Sequence, residues 1–168
     1  EIWKIAKGSG LFNKRSYDIA IDFTEWLYYG RNSYMVVGKK PERGTTKCYR
    51  FATITIVEAE SRFTLMVLPV GSMSSKEEIV KKLLDGAERK IKINKVYCDR
   101  GFFSGSIINL FKRRGITFLM PATQNKRVAK MCNIMTSPSV IKDYQMGEVK
   151  FNLVIIDDGN GKKAFATN

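Results

Sequence analysis

The stretch INKVYCDRGFFSG, residues 93–105, decides how the chain is read. It runs as a short apolar segment of strand character, stops at Asp99, Arg100 and Gly101, and leads straight into an amphipathic helix. An acid at the tip of a strand in a strongly basic chain calls for a reason. A second acid stands in similar surroundings in YDIAIDFTEW, residues 17–26, where Tyr17, Ile19, Ile21 and Phe23 alternate with Asp18, Ala20, Asp22 and Thr24. That is the period of a strand.

Outward from these two strands, residues 1–16 are a basic lead-in without a clear period, and residues 30–47, around GKKPERGTTK, read as a long loop. Residues 48–57 and 62–70 are β-branched and aromatic runs separated by EAES, which predicts a hairpin. Ser75 with Glu78 has the spacing of a capping box. Ile79, Val80, Leu83, Leu84 and Ala87 then form the apolar stripe of a helix. After the strand at 93–98, a helix over about 104–114 buries Ile107, Ile108 and Phe111 and ends at Gly115. Residues 116–120 make a strand ended by Pro121, and residues 124–135 a helix with Val128, Met131, Cys132 and Met135 on one face. The last section, 144–168, reads as two strands joined by DDGNG.

The order is strand, hairpin, helix, strand, helix, strand. A right-handed crossover can return the strand at 93–98 beside the first strand and parallel to it. Asp22 and Asp99 would then lie near the carboxyl ends of neighbouring strands, where open α/β sheets place their ligands. Two carboxylates held close repel each other unless a cation sits between them, and a hard, oxygen-seeking ion such as Mg²⁺ or Mn²⁺ suits them.

Charge supports a polyanionic partner. The chain has 29 Lys and Arg against 16 Asp and Glu, a net charge of +13, and such a field favours phosphate, whose condensed counterions are released on binding. Between Arg100 and Lys142 every charged residue is basic. Arg100, Lys112, Arg113, Arg114, Lys126, Arg127 and Lys130 are the candidate nucleic-acid contacts, since a solvated helix face ordinarily carries both signs. An anionic membrane surface is the rival partner, but no apolar run approaches the ~18 residues of a span, so no membrane partner is expected. Trp3 and Trp26 read as packing residues rather than platforms for stacked bases.

Several chemistries drop out. Histidine is absent, which removes Ser-His-Asp and Cys-His catalysis and the usual zinc hydrolase sites. Cys48, Cys98 and Cys132 form no C-x-x-C pair and suit a reducing cytosol. GKKPERGTT has five residues between its glycines and no Lys after the second, so it is no P-loop. GSGLFN has Asn13 where a dinucleotide fingerprint needs its third glycine. DDGNG lacks the ligand spacing of a calcium loop and reads as a hairpin turn.

AIDFTEWLYYG (20–30), VYCDRGFFS (96–104) and GEVKFNLVIIDDGNGKKAFATN (147–168) together resemble the catalytic core of DDE-type insertion-sequence transposases, in the prokaryotic group with a β-rich insertion before the last catalytic residue. The resemblance runs from about Tyr17 to Asn168. It implies an α/β fold of ribonuclease H type, a mixed sheet flanked by helices with a C-terminal β-hairpin insertion. Residues 1–143 would be the catalytic core and 144–168 the start of the insertion. Asp22 and Asp99 would be the first two acids of the triad, holding Mg²⁺ or Mn²⁺ for two-metal phosphoryl transfer: DNA cleavage, then joining of the 3′-hydroxyl to target DNA. Double-stranded DNA, as element ends and target, is the implied partner for Arg100 and the other basic residues, a homodimer in the transposition complex is compatible with it, and the implied place is the prokaryotic cytoplasm with its nucleoid.

The family's third carboxylate is a Glu on a helix beyond the insertion, so it is expected after Asn168. Glu148, Asp157 and Asp158 fall in the strands and turn of the insertion and are not assigned that role. The chain, which does not begin with Met, reads as a piece of a longer protein. Two other functions share these features: a ribonuclease H-like nuclease or resolvase that does not join strands, and a non-catalytic nucleic-acid-binding domain with purely structural acids.

Overall fold

The computed structural model describes residues 2–8, 10, 12–58 and 61–168, and the chain divides into two compact units, Glu1–Asn94 and Lys95–Asn168. In the first, a short helix α1 (Ile2–Gly8) precedes strand β1 (Tyr17–Leu27), followed by β2 (Val36–Glu42), β3 (Thr45–Glu58), β4 (Ser61–Val70) and helix α2 (Lys76–Glu88). β3 is the spine: β1 lies antiparallel along one side, and β2 and then β4 share the other. Ile19 and Ile21 of β1, Ala52, Ile54 and Ile56 of β3, and Ile79, Val80, Leu83, Leu84 and Ala87 of α2 are all buried. The expected helix stripe is therefore the face that α2 lays on β3 and β4. Its cap is as expected, with Ser75 Oγ accepting from the Glu78 N–H. At Gly86 the helix comes so near β4 that a Cβ would lie 2.7 Å from the Met66 sulfur.

The reading of residues 30–47 as a loop is corrected. Glu42 pairs with Thr45, so Arg43 and Gly44 are a two-residue turn, and both have left-handed φ, +46° and +84°. That is the hairpin turn whose twist matches its strands. The Gly, Lys and Pro content hides the strand, because β2 lies outside β3 and buries only Val36 and Val37. The hairpin expected at EAES is present, with Glu58 opposite Ser61.

In the second unit, strand β5 (Ile93–Cys98), which begins at the end of the first unit, leads through a single 3-10 turn (Arg100–Phe102) into helix α3 (Gly105–Arg113). Strand β6 (Thr117–Pro121), helix α4 (Lys126–Ile134) and strands β7 (Ser139–Met146), β8 (Val149–Asp157) and β9 (Lys162–Thr167) follow. β5 and β6 are parallel with α3 as their crossover, and the order continues β6-β9-β8-β7 with every later pair antiparallel. Ile107, Ile108, Leu110 and Phe111 of α3 are buried. Phe111 stacks on Phe118 of β6, with ring centroids 5.6 Å apart. Gly115 ends the helix at φ +64°, as its position predicts. The reading of residues 144–168 as two strands is corrected: the strands joined by DDGNG are β8 and β9, and a third, β7, begins at Ser139 and turns into β8 at Gly147. Only Tyr144 is buried along β7, so it has no apolar alternation to read.

The side chain of Trp3 lies outside the described residues. Trp26 is 65% exposed, so it is not a core residue, though its ring meets Phe51 edge-on at 5.5 Å.

Candidate catalytic carboxylates and basic face

Asp22 is placed by the alternation of β1. Tyr17, Ile19 and Ile21 face the core, and Asp22 is the first residue after the buried stretch, exposed on the other face with Asp18, Ala20, Thr24 and Trp26. The strand itself continues to Leu27, so Asp22 sits in mid-strand rather than at a strand end, at the point where burial stops. Its carboxylate Oδ1 accepts from the Phe23 N–H at 2.7 Å. Thr53 lies opposite it in the register.

On this face Thr24, Trp26, Phe51, Thr53 and Val67 line a shallow trough of about 220 Å³. The sequence signals it only weakly, because aromatic residues at alternate strand positions look like core until the covered side is known. Three residues beyond Asp22, Glu25 faces its cross-strand partner Arg50, whose Nε and terminal nitrogen donate to Oε1 at 2.7 and 2.6 Å, while Lys39 stands 3.2 Å from Oε2. Burial pushes the Glu25 carboxyl up, but the Arg50 and Lys39 hydrogen bonds more than offset it and hold it below the ordinary range.

Asp99 is delivered directly by β5. It is exposed and caps the 3-10 turn: its Oδ1 accepts from the Arg100 N–H at 2.6 Å and its carbonyl from the Phe102 N–H at 3.0 Å. Phe102, buried beneath the turn, and Cys98, buried just before it, anchor the acid from both sides. Among the described residues neither Asp22 nor Asp99 pairs with a Lys or Arg, and no group of three His, Cys, Asp or Glu side chains is poised to hold a metal. The donor chemistry fits a hard divalent cation: exposed carboxylates, each with one oxygen held by the backbone. The ligand count within the described residues stops at these two.

The expected DNA contacts divide by what they already do. Lys126 and Lys130 are exposed on α4, opposite its buried Val128 and Cys132. Arg100 is exposed in the turn after Asp99. Lys112 donates to the Lys150 carbonyl at 2.7 Å, and Arg127 donates to the Gln145 carbonyl at 3.1 Å with its guanidinium 5.0 Å over the Tyr144 ring. These two brace their own unit. Lys112 and Arg113 also stand in the last turn of α3, where cations complement the helix dipole; Arg114, its C-cap residue, is half-buried. All three cysteines are buried and free, and burial pushes the Cys48 thiol up.

A family model described as "Transposase DDE domain" matches residues 13–155. No curated protein matches the chain. Among solved structures it is similar to piggyBac transposase, seen by cryo-electron microscopy in a synaptic complex with hairpin DNA. The identity is 11% and the TM-score 0.64, over 92% of this chain and 33% of that one. The present chain thus spans a third of that transposase's length, and at this identity the likeness is one of fold. It bears out the ribonuclease H-like reading of a mixed sheet flanked by helices. Because the family model covers most of the chain, both acids included, the protein belongs to the transposase DDE domain family.

Proposed function

We propose that this chain carries the first two carboxylates of a DNA transposase, and that Asp22 and Asp99 act as one site in cutting DNA at element ends and joining it to a target. The observation that carries the reading is that the matched family domain, residues 13–155, contains both acids, one on β1 and one directly after β5. The first unit also shows how the chain reaches β5. The Tyr17 N–H donates to the Lys92 carbonyl at 2.9 Å, and the Asn94 amide donates to Asp18 Oδ1 at 2.6 Å. The chain entering β5 therefore runs beside the start of β1. The family model spans both acids, and that supports their assignment to one catalytic set.

Asp22 and Asp99 would hold Mg²⁺ or Mn²⁺, which when bound supplies electrostatic stabilisation of the attacking and leaving oxygens of phosphoryl transfer. The chain's own part is to orient. Each aspartate keeps one carboxylate oxygen fixed by the following backbone N–H, so the other is presented without rotamer search. Arg100, one residue from Asp99, and Lys126 and Lys130 would hold phosphates, contacts that position DNA without reading its sequence. Residues 144–168 would open the β-rich insertion, and the working assembly would be a homodimer on DNA. The buried, reduced cysteines favour a cytoplasmic setting.

The test is Asp22→Asn and Asp99→Asn in the full protein. Each should abolish cleavage while leaving DNA affinity nearly intact, since an amide keeps the shape but is a poor ligand for a hard cation. Cleavage at near wild-type rate by either variant would end the paired-carboxylate reading. A precleaved end, supplied to the wild-type protein, should be joined to target DNA; failure to join with cleavage intact would make the protein a nuclease or resolvase instead.

A further inference from the structure

The β2–β3 hairpin carries charge that neither the fold nor the carboxylate site uses. Its acids are already answered: Glu42 pairs with Lys39, which also reaches Glu25 of β1, and Glu58 pairs with Lys14. Lys40 and Arg43 are exposed and have no acid partner among the described residues, and Lys47 donates to the Gly30 carbonyl at 3.0 Å rather than to an acid.

Arg43 is the informative residue. It occupies the first turn position at φ +46°, where Asn, Asp or Gly is the ordinary choice because an L side chain is strained there. Lys and Pro on an outer strand are explained by protection against stray strand pairing, which accounts for Lys40 and Pro41. That protection does not require a long cationic side chain at a strained tip.

The tip is also held rigidly. The Tyr29 hydroxyl donates to the Arg43 carbonyl at 3.1 Å, Thr45 Oγ1 to the Tyr28 carbonyl at 2.6 Å, and the Tyr28 N–H to the Lys47 carbonyl at 3.0 Å. Beside it Tyr29, Pro41, Gly44, Thr45, Thr46 and Lys47 line an open groove of about 470 Å³. A braced ribbon with Lys47 on the groove and Lys40 and Arg43 exposed on the same hairpin suits an extended chain of phosphates, because little ordering remains to oppose binding.

We propose that the β2–β3 hairpin is a second contact for duplex DNA, gripping backbone phosphates through Lys40, Arg43 and Lys47, separate from the basic residues that follow Asp99. The inference rests on the reading that this protein acts on DNA. Phosphate contacts of this kind set the path of the duplex and carry no base preference.

The experiment measures binding of a short fluorescent duplex by the 168-residue chain through anisotropy over a range of salt. The hairpin variant is Lys40→Gln with Arg43→Asn, the latter chosen because Asn adopts positive φ readily. The control is Lys81→Gln with Lys82→Gln, which removes the same charge from two exposed positions of α2. Thermal melts confirm that both variants fold.

The hairpin variant should flatten the slope of log affinity against log salt by about 0.9 for each lost contact, or about 1.8 in all. The control should leave the slope near that of the wild type. An unchanged slope in the hairpin variant, or an equal fall in the control, overturns the hairpin contact while the DNA reading stands. A wild-type chain that binds no duplex takes down both.

Discussion

Asp99 has two jobs in this structure, and one pair of substitutions separates them. As a cap it accepts the Arg100 N–H at 2.6 Å; as a proposed ligand it offers charge. Asp99→Ala removes both, whereas Asp99→Asn keeps an acceptor oxygen and removes only the charge. Both raise the net charge of an already basic chain by one unit, so self-repulsion cancels in the comparison between them. Loss of a cap costs about 1 kcal/mol, while an Asp-to-Asn exchange at a cap is nearly neutral. For a domain of this size ~1 kcal/mol moves Tm by about 2–4 °C. Without metal, therefore, Asp99→Ala should melt about 2–4 °C below wild type and Asp99→Asn within a degree or so of it.

Added Mn²⁺ reverses the grouping. At ten times its Kd a ligand stabilises the folded state by about 1.4 kcal/mol, so the wild type should rise by about 3–6 °C. Neither variant should respond, because both lack the carboxylate. Calorimetric melts with and without Mn²⁺, followed by direct titration of the ion, read both effects. Asp99→Asn destabilised as much as Asp99→Ala would show that the cap geometry is not what holds the acid. A full Mn²⁺ response in Asp99→Asn would remove Asp99 from the ligand set.

Other outcomes follow from the same contacts. Glu25→Gln should destabilise the chain by on the order of 1 kcal/mol at pH 7, because Arg50 and Lys39 lose an ionised partner that is mostly screened from water. The carboxyl is held below its ordinary range, so its contribution is complete above the unfolded pKa of about 4.3 and disappears as pH falls through the lower folded value. The variant and wild type should converge in strong acid, and a gap that persists there would refute the ion pair. Phe118→Ala, at a fully buried position stacked on Phe111, should cost about 3–5 kcal/mol in chemical denaturation; a loss below ~1 kcal/mol would contradict this core. Gly115→Ala meets no neighbour within 4 Å but must hold φ +64°, so a loss of about 1 kcal/mol should come from the backbone alone. Replacing Arg100, Lys126 and Lys130 together should weaken duplex binding and reduce its salt slope by up to about 2.7, and an unchanged slope would move the DNA path off this unit.

Much of the candidate site is legible in the local sequence pattern. Asp99 is legible because a six-residue apolar strand ending in Asp-Arg-Gly leaves no doubt where the strand stops, and Ser104 with the Ile107, Ile108 and Phe111 stripe marks the helix beyond it. Asp22 is legible as a strand acid but not in its place along the strand, because the alternation of β1 fades after Ile21 while its pairing with β3 goes on to Leu27 and Cys48. Lys112 and Arg127 are legible as cations, but their bonds to the carbonyls of Lys150 and Gln145 are not. Those partners lie 38 and 18 residues away, and no periodicity reports them.

Local pattern by itself determined the strands and helices whose faces are buried, the exclusion of histidine-dependent chemistry, the basic character of the chain and the strand setting of the two candidate aspartates. It could do so because burial imposes a period on the residues that undergo it, and because charge and residue type need no geometry to be counted. Tertiary structure alone decided the β2–β3 hairpin, the presence of β7, the exposure of Trp26 and the ion pairs that Lys39 makes with both Glu25 and Glu42. Each of these is a pairing between residues far apart in the chain or at the margin of a sheet, where one side faces water. There the stabilising partner is a backbone or an opposite charge rather than a core, and no repeating signal is written into the strand itself.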